Sequence, residues 1–389
     1  MKRLFLSLFI LFIFFPCFSQ TAKQRFLKGN LSDKATVLRD AANEDKYWLS
    51  SKSIDFVYEN YQYLGDDRDF ENFAVSAIYS IPDFEGLTLS KESYQEIGKK
   101  LRLIYFNYIS SNNVKCAILS KYVSLRNYYP TEELTAGINA DLMKTDPALM
   151  DSTLFHSIVS ALGVIGDKES FVLLFDAYAK NKVTQYNNEL REALSNLIPQ
   201  GIDLYLSLIH SKDIDYLRAT YNLINNNSKI SQNFISEIAE NLLNESILLM
   251  SNSTENTKEL VAIQLGAINI LDVNNCTRAA SSVVAYFDVA KREHSNSLIS
   301  DKDFVGVVYA LGNLAPISSV SPLVEYLESA NASVEKEEMV SYEVVTAVIK
   351  TLGAIGDKSA FDSLLAVTYL DYPDYVLSAT REALAGLKW

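Results

Sequence analysis

The sequence is poor in the residues that most often carry catalytic chemistry or hold metal ions. It has three cysteines and three histidines among 389 residues, and the histidines, His156, His210 and His294, lie far apart. It contains neither an HExxH pair nor a GxSxG or GxxxxGK[ST] motif. We therefore predict no catalytic residue, no cofactor and no metal site, and we interpret His156 as a structural histidine of its helix.

Long apolar runs are lacking except near the N-terminus, where Leu4–Phe15 follows two basic residues and ends before Pro16. Twelve residues span only about 18 Å as a helix, against a hydrocarbon core of about 30 Å. The pattern favours a secretory signal peptide over residues 1–19, cleaved after Ser19, with a lipoprotein anchored through Cys17 as the alternative. We expect a periplasmic or extracellular protein without a membrane span in its mature chain.

Basic residues are the minority among the charged side chains. Without the two basic residues of the N-terminal segment, 33 basic and 48 acidic side chains give the mature chain a net charge of −15. This balance argues against nucleic acid and anionic lipid as partners, and it favours a neutral or basic one.

Proline and glycine are scarce, at 8 and 14 residues, and no linker rich in them divides the chain. Instead, one pattern occurs twice: residues 161–197 align without gaps with residues 351–387 and are identical at thirteen of thirty-seven positions. Apolar residues in each copy recur at helical spacing on both sides of a Gly-Asp pair. The pattern predicts a helix, a turn closed by a left-handed Gly166 or Gly356, and a second helix capped by Asp167 or Asp357.

Small residues recur at one slot of this pattern. The slot holds Gly163, Ser195, Gly266, Gly312, Gly353 and Ala385, at spacings of 32, 71, 46, 41 and 32 residues. A glycine inside a helix costs roughly 1 kcal/mol relative to alanine, so we predict that a neighbouring helix packs closely there. Each spacing fits one helical hairpin, and the longest one holds an additional hairpin without a recognisable slot residue. The sequence therefore predicts an all-α fold, a right-handed α-α superhelix of about eight to ten hairpins.

These residues resemble the HEAT-like repeat family, in the short variety related to the bilin (PBS) lyases, whose helix pair reads A-L-G-x-[IL]-G-D. Ala161–Asp167 and Thr351–Asp357 match it nearly letter for letter. The resemblance implies HEAT-like repeats over residues 151–389, preceded by an irregular, Tyr-rich helical part of the solenoid over residues 20–150. The family's early arginine is absent, so we expect stacking by apolar contact without an Asp–Arg ladder.

The Tyr-rich part holds eleven of the 23 tyrosines. Its predicted helices are Asp33–Ala42, Ser53–Tyr63, Asp69–Ile81, Lys91–Ser110, Val114–Arg126 and Thr131–Met143. We interpret its aromatic residues as irregular core; the alternative is a binding surface, since tyrosine suits surfaces that are apolar yet wet.

The other polar candidates are given structural interpretations. We expect Arg191-Glu192 and its copy Arg381-Glu382 to be exposed helix charges. Cys116 and Cys276, 160 residues apart, are expected to be buried free thiols.

The favoured function is an exported repeat scaffold that binds a protein or peptide partner through a concave face formed by the second helices, without catalysis. Aromatic residues of Tyr105–Tyr129, or of second helices such as Phe171–Tyr178, would then contribute most of the affinity. The alternatives are an enzyme that uses the solenoid as a cradle, as the resemblance to bilin lyases implies, and a purely structural envelope component.

Overall fold

The computed structural model describes residues 21–82, 91–211, 213–252 and 256–388, which form two compact units that divide between Ile165 and Gly166. The predicted signal peptide and Cys17 lie outside the described residues. Nineteen α-helices and no named β-strand occur in the part of the chain that is described. The predicted all-α class is therefore confirmed.

The N-terminal unit contains eight helices within its described residues. They are α1 Ala22–Lys28, α2 Leu31–Asp40, α3 Asn43–Leu64, α4 Arg68–Tyr79, α5 Lys91–Asn107, α6 Asn112–Ser124, α7 Glu132–Lys144 and α8 Ser152–Ile165. All six helices predicted in residues 21–150 are present, although α3 begins ten residues before the predicted Ser53. Helix α1 was not predicted; it begins after Thr21, whose hydroxyl accepts a hydrogen bond from the Gln24 N–H.

The C-terminal unit contributes the other eleven helices of the described chain. They are α9 Lys168–Ala179, α10 Asn187–Ile209, α11 Ile214–Ile224, α12 Gln232–Asn252, α13 Thr257–Val273, α14 Ala280–Ser295, α15 Asp301–Leu314, α16 Val320–Glu335, α17 Tyr342–Ile355, α18 Phe361–Val367 and α19 Asp374–Ala385. The long gap between slot residues contains α11 and α12, as the sequence predicts. Helix α10 holds the slot residue Ser195 and continues through Pro199.

Helices pack on their sequence neighbour and on the helix two places along. In the N-terminal unit, α2, α4, α6 and α8 form one layer, and α3 packs on α5 in the other. In the C-terminal unit, α11, α13, α15, α17 and α19 form one layer, and α12 packs on α14 and α16 on α18 in the second. This alternation is the α-α superhelical arrangement. We call α12, α14, α16 and α18, each the later member of its hairpin, the second helices. Helix α9 was predicted as a second helix, but it packs on α11 of the other layer.

In both copies of the Gly-Asp turn the aspartate accepts a backbone hydrogen bond as predicted, but the two glycines differ in conformation. Asp167 begins α9 and accepts a hydrogen bond from the Ser170 N–H at 2.9 Å, and Asp357 accepts one from the Ser359 N–H at 2.8 Å. Gly356 has a left-handed φ of 76°, whereas Gly166 does not. The prediction for Gly166 was wrong because the chain leaves α8 directly for the extended Asp167, at φ −121° and ψ −171°.

The slot glycines lie where consecutive first helices touch. A Cβ atom added at Gly353 would lie 2.6 Å from the Ala383 Cα, and one at Gly312 would overlap the Thr351 Cγ2. Added at Gly266, it would meet the Tyr221 ring. The predicted close packing is confirmed at these three positions.

Polar contacts also join neighbouring repeats, which corrects the expectation of purely apolar stacking. The Arg218 guanidinium on α11 donates two hydrogen bonds to the Glu259 carboxylate on α13, with Nη2 to Oε2 at 2.9 Å. The same relationship recurs as Asn313 to Asp272, Ser341 to Asp301, Tyr216 to Asp176 and Ser282 to Glu240, in pairs 40 to 42 residues apart. An arginine at a different position thus forms an ion pair that the family pattern alone does not predict.

A membrane-spanning helix must be both long and apolar. None of the described helices combines the length and the apolar character required.

Both remaining cysteines, Cys116 and Cys276, are free thiols as predicted, but each is half-buried rather than buried.

Candidate functional site

Several tyrosines of the N-terminal unit form core rather than a binding surface, although Tyr58, Tyr63 and Tyr79 are exposed. Tyr105, Tyr108, Tyr122 and Tyr129 are all buried. The Tyr108 hydroxyl donates to the Gly65 carbonyl at 2.9 Å, and the Tyr122 hydroxyl donates to a backbone carbonyl of α5. The interpretation as irregular core is confirmed for these residues, and they cannot offer exposed contacts to a partner.

The apolar residues of α9 are equally buried. Phe171 and Phe175 have no exposed surface, and both rings lie 5.0 Å from the Tyr205 ring of α10. The expectation that Phe171–Tyr178 contributes most of the affinity is therefore wrong for these rings. They stabilise the start of the C-terminal unit instead.

The three histidines have separate environments, and none matches a metal site. His156 is exposed on α8 and lines a hollow of about 260 Å³ beside Cys116; its interpretation as a structural histidine stays a prediction. His210 Nδ1 lies 2.6 Å from Glu245 Oε1, and His294 Nε2 lies 2.7 Å from Asp301 Oδ1. No group of three or more potential metal ligands occurs in the described part of the chain.

Arg191 has a more specific position than an exposed helix charge. It is half-buried, and its guanidinium donates to the Asn225 carbonyl, one of the free carbonyls at the end of α11. Glu192 beside it is exposed and accepts a hydrogen bond from Lys229. The copies Arg381 and Glu382 are exposed as expected.

A hollow in the C-terminal unit combines apolar walls with a buried carboxyl group. It has a volume of about 310 Å³ and lies between the second helices α12 and α14. It is lined by Ile247, Met250, Ser251, Val289, Arg292, Glu293, Asn296 and Leu298. We call it the Glu293 hollow.

The turn after α14 builds one wall of the Glu293 hollow. Ser297 takes a left-handed φ of 55°, and the Leu298 N–H donates to the Glu293 carbonyl at 2.8 Å. The Ser297 N–H donates to the His294 carbonyl at 2.9 Å, completing a Schellman-type helix end. This turn folds Leu298 back over the last turn of α14, so that an apolar side chain lies beside Glu293.

Glu293 is the least expected residue of the hollow. Its side chain is buried, with 2% exposed, yet Oε1 has no hydrogen-bond partner among the described residues. Oε2 accepts only a long hydrogen bond, 3.4 Å, from the Tyr286 hydroxyl. A buried carboxylate normally needs a full set of donors, so this carboxyl group lacks a hydrogen-bond partner at Oε1.

Burial dominates the electrostatics of Glu293. It raises the pKa of this carboxyl from 4.5 to about 7, although the Tyr286 hydroxyl and the nearby Arg292 charge act to lower it. The group is therefore divided between its neutral and ionised forms near neutral pH. It can donate a hydrogen bond in one form and pair with a cation in the other.

Sequence reasoning missed Glu293 because it lies in the charged segment Lys291–His294, which reads as a solvated helix end. One signal was available. The buried side chains of α14 follow the helical stripe Val283, Tyr286, Ala290 and Glu293, so that the glutamate occupies an apolar position.

Comparisons with known proteins identify no relative. No protein-family model, no curated protein and no solved structure matches this chain.

Proposed function

We propose that this chain is an exported, non-enzymatic scaffold of the HEAT-like repeat type that binds a protein or peptide partner through its second helices. The observation that carries the proposal is the Glu293 hollow, where a buried carboxyl with one unpaired oxygen lies under apolar side chains between α12 and α14. Such a group lowers stability unless an occupant pairs with it. This cost supports binding at the hollow, because an occupant that pairs with the carboxyl would remove it.

The lining of the hollow favours binding over the alternative of an enzyme with a solenoid cradle. General acid–base catalysis of the common kind uses two titratable groups with separated pKa values in one site. Glu293 is the one carboxyl in the lining, and no histidine accompanies it there. A purely structural envelope component, the other alternative, gives the unpaired carboxyl no role.

Charge and the N-terminal segment define the expected partner further. A secretory signal over residues 1–19 would place the protein in the periplasm or outside the cell. A mature chain with a net charge of −15 repels polyanions, so we expect a neutral or basic protein partner rather than nucleic acid. Attraction of this kind weakens as the ionic strength rises.

The test is capture of partners by the exported protein from an envelope extract at low and high salt. Wild type is compared with Glu293→Gln and with the matched control Glu245→Gln, which changes another buried carboxyl outside the hollow lining. We expect a protein that wild type and the control retain and that Glu293→Gln loses. Equal retention by all three, or salt-sensitive retention of nucleic acid alone, would contradict the proposal.

A further inference from the structure

We infer that the Glu293 hollow receives the primary ammonium group of a lysine side chain from the protein partner. This inference rests on the proposed function and names the chemistry of its central contact. Three features of the hollow point to lysine: its apolar walls, its single free carboxylate oxygen and its electrostatic setting.

The walls suit the stem of a lysine side chain. Ile247 and Met250 of α12 face Val289 of α14 and Leu298 of the following turn across the hollow, and all four are partly exposed. Lysine buries its methylene groups along apolar surface while its charged end seeks a polar partner. A short acidic or hydroxyl side chain would leave these walls uncovered.

The free oxygen distinguishes lysine from arginine. A guanidinium binds a carboxylate best when both oxygens accept in parallel. Here Oε2 already accepts from Tyr286, and only Oε1 lacks a partner; Oε1 is covered by its neighbours, so an occupant reaches it only after side chains of the lining rotate. An ammonium is a compact charge with three donors, so it can bond to Oε1 while Ser251 and Asn296 offer further acceptors at the edge.

The surrounding charges permit a cation to enter. Arg292 is the one basic residue of the lining, and it is exposed, so solvent and salt screen its repulsion. From α12 the lining brings Ile247, Met250 and Ser251, which carry no charge. On α14 the Tyr286 hydroxyl faces the carboxyl, and α15 brings Asp303, whose negative charge acts on Tyr286.

Binding of an ammonium should therefore depend on pH. The lysine stays charged throughout the neutral range, while Glu293, with a pKa of about 7, must be ionised to pair with it. The carboxyl is mostly ionised at pH 8 and mostly neutral at pH 6. We expect the affinity for an ammonium to fall about tenfold between these two values.

The first arm of the test uses a small probe on the full mature chain. Blocked lysine, N-acetyl-lysine N-methylamide, is titrated while the methyl signal of Met250 is followed by NMR in protein labelled at methionine methyl groups. Its Nε-acetylated form and blocked arginine are the matched probes. We expect saturable shifts with blocked lysine alone, at least tenfold weaker binding in Glu293→Gln, and unchanged binding in Glu245→Gln.

The second arm identifies the source of the ammonium. A carbodiimide joins a carboxyl to an amine in direct contact as an amide, without a spacer, and the reagent takes up the water. In an envelope extract we expect an amide between Glu293 and a partner lysine, lost when the partner is first Nε-acetylated. A free polyamine joined to Glu293 instead would overturn the lysine assignment.

The outcomes separate this inference from the proposed function. Equal shifts from acetylated and free lysine probes, or no loss in Glu293→Gln, would overturn the inference while partner capture could still succeed. Binding of blocked lysine without any captured protein would overturn the proposed function and, with it, the partner lysine. Folding of each variant is checked from its methionine methyl spectrum before titration.

Discussion

Gly353 of α17 and Ala383 of α19 lie so close that a Cβ atom at position 353 would fall 2.6 Å from the Ala383 Cα. The obstacle is backbone, which cannot rotate away as a flexible side chain can. The contact joins consecutive first helices, and the same slot brings Gly312 against Thr351. The recurring glycine therefore sets the distance between repeats.

We expect Gly353→Ala to destabilise the C-terminal unit by about 1 to 3 kcal/mol, because the methyl group overpacks this contact. The matched control is Gly306→Ala in α15, where an added Cβ meets nothing within 4 Å. Alanine suits an open helix position better than glycine, so the control should gain about 0.5 to 1 kcal/mol. Urea unfolding followed by circular dichroism measures the free energy of unfolding of both variants. Equal free energies for the two variants would contradict close packing at Gly353.

The buried Glu293 carboxyl should make stability depend on pH in the opposite direction from an ordinary surface acid. Its pKa in the folded protein, about 7, lies above its ordinary value of 4.5, so the native state holds this proton more tightly than the unfolded state. Its contribution is fully favourable below pH 4.5 and is lost as the pH rises through 7. We expect Glu293→Gln to be more stable than wild type at pH 8, by about 3 kcal/mol.

At pH 4 the two proteins should have nearly equal free energies of unfolding, because glutamine resembles the neutral carboxyl. Thermal unfolding of both proteins from pH 4 to pH 8 gives the difference between their free energies of unfolding as a function of pH. A Glu293→Gln variant that is less stable than wild type at pH 8 would show that the ionised carboxyl has internal partners after all.

Asp176 should show the reverse pH dependence. Burial alone would raise its pKa, but hydrogen bonds from Lys180, Lys182 and Tyr216 lower it to about 2. Its contribution is present above the ordinary value of 3.8 and disappears as the pH falls through 2. We expect Asp176→Asn to cost about 1 kcal/mol at pH 7, a figure reduced for solvent screening of these partly exposed groups.

The control for Asp176 is Asp288→Asn, which removes an exposed carboxylate paired with Lys291 three residues away. Such a pair contributes about 0 to 1 kcal/mol, so the change should be small. Unfolding at pH 7 and pH 2.5 compares the variants. If Asp176→Asn costs as little as the control at pH 7, the link from α9 to Tyr216 of α11 does not contribute to stability.

Periodic features were readable from the sequence because a helical repeat imposes the same local requirement at each copy. The all-α class, the hairpin period and the caps at Asp167 and Asp357 follow from the spacing of apolar residues and from the need of each helix start for an acceptor. The slot at Gly353 was predictable for the same reason. The conformation of Gly166 was not predictable, because glycines at equivalent positions of two repeats can end a helix with different backbone dihedral angles.

The sequence by itself determined which segments form helices and which residues keep those helices close. Only the tertiary structure decided which side chains are buried and paired. It buried Phe171 and Tyr122, aligned Arg218 with Glu259, and left Glu293 under apolar side chains with one oxygen free. Helical spacing specifies which residues share one face of a helix. Which atom on another helix they contact depends on how the two helices pack, and the sequence of neither segment alone determines that packing.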